Sequence, residues 1–151
     1  MDGREEDISL IRRWFQHLAA YVQAVDYAGA RRLFAEDLIA FGTFADFVTG
    51  RDATEIEQWR NIWGTIDDFS CRLDDIRAIV SADRLTAVGI TLFDSTGYSE
   101  DGVPYNRPGR ATVVFARTAI GKEWIARHTH FSLFPGIPTR SFGNKTKRVR
   151  V

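Results

Sequence analysis

The chain has 151 residues, of which 44% are hydrophobic, 13% aromatic and 26% charged, with 20 basic and 20 acidic side chains. The length suits one globular domain with a substantial core, and the cancelled charge excludes a molecule-wide field for nucleic acid or a membrane surface. A single cysteine, Cys71, excludes an internal disulfide. No apolar run approaches the roughly 20 residues that cross a bilayer, and Asp2–Asp7 has no signal-peptide pattern, so a cytoplasmic protein is expected.

From Glu5 to Val25 apolar residues recur at helical spacing (Ile8, Ile11, Trp14, Phe15, Leu18, Val22) and predict a first helix. Asp26 suits the cap of a short second helix carrying Leu33 and Phe34. Leu38–Phe41 reads as a strand broken at Gly42, and Phe47 with Val48 as a second short strand. Thr49 and Gly50 open a third helix, with Ile56, Trp59, Ile62, Trp63 and Ile66 expected along one side. Beyond Asp67 the period shortens to two, because Phe69, Cys71 and Leu73 alternate with polar residues. Long strands follow at Leu85–Phe93, Ala111–Thr118 and Trp124–Phe134, with a tight turn at Gly121. Helices first and a strand meander after predict an α+β domain, a sheet with helices on one face. Residues 1–138 are expected to form this single domain. Residues 139–151 carry Arg140, Lys145, Lys147, Arg148 and Arg150 and no acid, and read as a basic mobile tail on a body of about −5. No aromatic spacing for base stacking accompanies the tail, so no nucleic-acid partner is expected.

Several side chains carry candidate chemistry. His128 and His130 alternate with Thr129 and share one face of the last strand with Ala126 and Ser132. Facing the helices, either imidazole could move a proton near neutral pH. Facing away, they are interface or surface residues. A shared metal would need a third ligand, and none is evident, so no metal is expected. Arg110 opens a long strand, three residues after Arg107 and close to Tyr105 and Pro108, and its guanidinium could hold a carboxylate. Trp59 and Trp63 lie one helical turn apart and could stack on a flat ligand or simply fill the core. Asp46 stands between Phe44 and Phe47, where neighbouring rings can raise a carboxyl pKa. Tyr105 and Phe41 complete the expected ligand wall. No Gly-rich phosphate loop appears, so no organic cofactor is expected.

Three stretches resemble the nuclear transport factor 2-like superfamily, nearest to its SnoaL-like branch: Phe41-Gly42-Thr43 with Val48-Thr49-Gly50-Arg51; Arg110–Phe115 ending in Gly121–Trp124; and His128–Ser132 closing at Pro135. The last two also resemble the association domain of calcium/calmodulin-dependent kinase II. The resemblance implies a cone-shaped, cystatin-like α+β fold with three N-terminal helices on a curved, mostly antiparallel sheet, enclosing a pocket. It also implies an Arg at the Arg110 position. Tyr21 falls where the ketosteroid isomerases hold an oxyanion donor, but their general-base position falls on Gly42 and their second acid near Val113 or Val114. Ketosteroid isomerase activity is therefore not expected. Two functions follow from the resemblance. The first is a pocket for a small, partly apolar organic molecule, with His130, His128, Tyr21 or Asp46 in a cofactor-free proton transfer. The alternative is an association module that dimerises through its sheet. Inward histidines would favour the first, outward ones the second.

Overall fold

The structure is a computed structural model and describes residues 3–43 and 47–137. Asp46 and the basic segment 139–151 lie outside the described residues. Helix α1 (Arg4–Ala24) buries Ile11, Trp14, Phe15, Leu18 and Val22 and carries Glu5, Glu6 and Asp7 in its first turn, where negative charge meets the positive end of the helix dipole. It stops at Val25, whose φ of 52° turns the chain while its N–H donates to the Tyr21 and Val22 carbonyls. Asp26 then caps α2 (Tyr27–Ala30) by accepting from the Gly29 N–H at 3.0 Å.

Among the described residues, eight strands form one mixed sheet: β1 (Phe34–Phe41), β2 (Val48–Thr49), β3 (Asp67–Cys71), β4 (Arg77–Val80), β5 (Thr86–Tyr98), β6 (Pro104–Asn106), β7 (Gly109–Ala116) and β8 (Ile125–Leu133). The main path runs β2-β1-β8-β7-β5-β3, with β4 and β6 also on β5. Only β1 and β8 run parallel. The sequence expectation omits β4 and β6, and Leu73 starts a 3₁₀ turn rather than ending a strand. The 13-residue β5 is long enough to pair with four partners.

The third helical segment differs from the expectation in pitch. It runs α3 (Arg51–Thr54), a π turn (Glu55–Trp59), α4 (Arg60–Ile62) and a 3₁₀ turn (Trp63–Thr65). A π turn takes one more residue per turn than an α-helix. Ile56 is consequently turned out and 63% exposed, and Gln58 joins Thr54, Trp59, Ile62 and Trp63 on the buried side.

Two rows of paired residues cross each face of the sheet. The inner face carries Ala87-Phe115-Ala126-Phe34 and Gly89-Val113-Thr129-Ala40. The outer face carries Ile79-Val88-Val114-His128-Ile39 and Arg77-Ile90-Thr112-His130-Phe41. α1 closes the inner face, with Trp14 at its centre edge-on to Phe15, Phe34 and Phe115. A buried ionic knot ties its first turn to the sheet. Asp7 accepts from Arg84 at 2.7 and 3.0 Å and from Arg117, and Arg117 lies 3.9 Å over the Trp124 ring. Among the described residues no helix is long and apolar enough to cross a membrane.

Candidate functional site

A partly enclosed cavity of about 70 Å³ lies between the inner sheet face, α1 and the third helical segment. That is room for about five waters or a small ring. Its apolar wall comes from Leu18 and Val22 of α1, Trp59, Ile62 and Trp63, and the rings of Phe69, Phe93 and Phe131. Trp59 and Trp63 stack at 4.9 Å with their planes 17° apart. Phe93 links Phe69 at 5.3 Å to Phe131 at 5.8 Å. Phe93 holds its place because Gly109 has no side chain: a methyl there would stand 2.2 Å from the Phe93 ring and 2.4 Å from the Ser132 carbonyl.

The polar end comes from Gly42, Thr43, Gln58, Arg107 and Thr129. Arg107 follows β6 and is 2% exposed. Its Nη2 donates to Thr43 Oγ1 at 3.0 Å and its Nη1 to Ser95 Oγ at 3.3 Å. Ser95 Oγ in turn donates to the Arg107 carbonyl at 2.7 Å, clamping the residue at both ends. Burial pushes the guanidinium down to about 10, with Tyr105 acting in the opposite sense, and this still leaves it cationic at neutral pH. Gln58 is 6% exposed, and its Nε2 is sealed from solvent with no hydrogen-bond partner. A methyl on Gly42 would stand 2.7 Å from the Gln58 amide carbon, so this glycine permits the close approach. Among the described lining residues there is no carboxylate and no imidazole.

Of the residues expected from sequence, Trp59 and Trp63 line this cavity. His128 and His130 do not. They stand in the two outer rows, half-buried and exposed respectively, with the Phe41 ring 5.6 and 5.2 Å away. The cause is a register shift at Arg127: Ala126 pairs with Phe115, but His128 pairs with Val114. One extra residue there is a β-bulge, which reverses the alternation assumed from sequence. The bulge lets Ala126 and then Thr129 and Phe131 face inward; an unbroken ladder would bury His128 and His130 and expose Phe131. His128 Nδ1 donates to the Ile39 carbonyl at 2.7 Å, which places its proton on Nδ1.

Arg110 is likewise on the outer face, donating to the Leu133 carbonyl at 3.3 Å. The cavity's cation is Arg107, three residues earlier. Phe41 packs outward against Phe47 at 5.4 Å. Tyr21 turns from the cavity toward Gly29, and Tyr105 lies over Gly97 outside the lining. The polar lining from Thr43, Gln58 and Thr129 has no sequence signal in simple periodicity, because the π turn and the bulge bring two of the three inward.

A SnoaL-like domain model matches residues 11–136. No curated protein matches the chain. Among solved structures, a nuclear transport factor 2-like superfamily protein from Salmonella enterica is 16% identical with a TM-score of 0.71, covering 89% of this chain and 96% of its own. A ketosteroid isomerase-like protein from Erwinia carotovora is 15% identical with a TM-score of 0.69, covering 85% and 96%. The association domain of C. elegans calcium/calmodulin-dependent kinase II is 14% identical with a TM-score of 0.66, covering 87% and 99%. At these identities the structures establish the shared nuclear transport factor 2-like, cystatin-like fold. With most of its length matched by the family model, the chain belongs to the SnoaL-like domain family.

Proposed function

We infer that this protein binds a small, partly apolar organic molecule in the cavity between its helices and the inner sheet face. The observation that carries this reading is a half-enclosed aromatic cavity with a buried guanidinium at one end. A ligand would sit against Phe69, Phe93 and Phe131 and direct its polar group at Arg107. Chemistry without a cofactor would consist of polarising a carbonyl or holding an enolate oxygen, since fixed donors stabilise charge that develops beside them. The single domain over 1–138, the basic tail and a cytoplasmic setting belong to the same proposal. Native mass spectrometry of freshly purified protein, followed by denaturing release, tests it. Release of a small organic molecule is the expected result. Protein that is empty and also binds no ring compound at millimolar concentration would remove the reading.

A second reading rests on a different observation. The two outer rows present Ile39 at 40%, Ile79 at 64% and Ile90 at 39% exposure on one face, together with both histidines. That face suits a homodimer through the sheet, and the outward histidines meet the condition set for the association module. Pocket and dimer use opposite faces, so one does not exclude the other.

A further inference from the structure

Thr129 carries a hydroxyl that the protein itself leaves unused. Among the described residues, the other buried threonines and serine all donate to backbone carbonyls. Thr54 donates to Gly50 at 2.8 Å, Thr65 to Ile62 at 2.7 Å, Thr91 to Leu92 at 3.2 Å and Ser95 to Arg107 at 2.7 Å. Thr129 is just 3% exposed, yet among the described residues its hydroxyl has no hydrogen-bond partner. Its strand neighbours Ala40 and Val113 are apolar, and valine would fill the same shape with no unmet polar group. The oxygen is not sealed either: among the described residues the sealed, unpartnered side-chain atoms are Arg51 Nε and Gln58 Nε2. Because Thr129 is buried and stands in the cavity wall, its hydroxyl opens on the cavity.

Gln58 lines the same cavity and adds an acceptor. Its Nε2 is sealed, but its Oε1 is not, and among the described residues that oxygen accepts no bond. The two groups are close in the fold. The Gln58 amide packs on Gly42, two residues past Ala40, and Ala40 is the register partner of Thr129. Arg107, at this end, is already engaged by Thr43 and Ser95, so nothing here calls for an anion. Deepening the pocket reading above, on which it rests, we propose that Thr129 and Gln58 select a small neutral ring compound that carries a hydroxyl group, of the phenol class. The ligand O–H donates to Gln58 Oε1, and its oxygen accepts from Thr129 Oγ1. The ring lies among Phe69, Phe93 and Phe131, in a cavity whose volume of about 70 Å³ suits one ring. A site built to bond a hydroxyl rejects the analogue that lacks it, because its own polar groups are then left unpaired.

Titration calorimetry of the full chain at pH 7 with phenol and with toluene, which puts a methyl in place of the hydroxyl, tests the proposal. Phenol is expected to bind at least about tenfold more tightly than toluene. Thr129→Val keeps the shape of the side chain and removes the hydroxyl. It is expected to leave the thermal midpoint unchanged or higher, since no bond within the protein is lost, and to cut the preference for phenol at least about fivefold. Gln58→Leu is expected to weaken phenol more than toluene. Toluene binding as tightly as phenol overturns the hydroxyl site while the pocket reading stands. An undiminished preference in Thr129→Val or in Gln58→Leu overturns the part given to that residue. Binding of neither compound overturns both the hydroxyl site and the pocket.

Discussion

Arg107 and Arg110 show how far single residues can be read. Both are arginines of one short segment, and the resemblance pointed to Arg110. The difference between them is one of parity: Gly109, Ala111 and Val113 face inward on β7, so Arg110 faces out. Arg107 precedes the strand, and Ser95 hydroxyl and backbone bonds fix it. Asp7 is the other residue on which much depends. Hydrogen bonds from Arg84 hold its carboxyl below the ordinary value of 3.8; burial opposes this and Arg117 reinforces it. Asp7→Asn leaves Arg117, whose side chain is fully buried, without its counter-charge. We expect a loss of about 3–5 kcal/mol at pH 7, read as a lower urea midpoint. A carboxyl with a lowered folded pKa stabilises above its unfolded value and loses that contribution as pH falls through the folded one. The gap between wild type and Asp7→Asn should therefore be full above about pH 4 and close on further acidification.

At the level of elements, the helices and the long strands were legible because each buries one face at a regular period. α1, β5, β7 and β8 fall close to their expected positions. β4 and β6 escaped notice because strands of four and three residues carry too little alternation to register. The polar lining escaped for a different reason. Periodicity assumes constant pitch, and both the π turn at Glu55–Trp59 and the bulge at Arg127 break it by one residue. Ile56 was expected on the side of the tryptophans and the facing of the two histidines was left open, whereas Gln58 and Thr129 take the inside positions. Trp59, the last residue of the π turn, and Trp63 beyond it stack on each other and line the cavity. Gly109 sets the approach of β7 to its neighbours. Gly109→Ala places a methyl against the Ser132 carbonyl, a backbone atom that cannot swing aside. A loss of at least about 2 kcal/mol is expected, measurable by thermal or chemical unfolding.

Taken whole, the molecule has a sheet with two unlike faces. The inner side lets α1 pack closely, Gly89 facing Ile11 and Phe15, and keeps a cavity lined by Phe93, Thr129 and Phe131. The convex side alternates branched aliphatics with imidazole and hydroxyl groups, a surface apolar enough to associate and polar enough to stay in water. Sedimentation velocity at micromolar concentration should show a dimer. Ile90→Asp, on β5 in the second outer row, should give a monomer that retains its fold. A wild-type monomer under those conditions would argue against association through this face.

The bulge at Arg127 also bears on how such proteins diverge. Laid as an unbroken ladder, the same strand would offer two imidazoles to the cavity in place of a hydroxyl and a phenyl ring. Gaining or losing one residue of slack can thus exchange a cavity without an imidazole for one with two, with no change of residue type. In this chain, the groups that face the cavity are decided by the slack in one strand as much as by residue type.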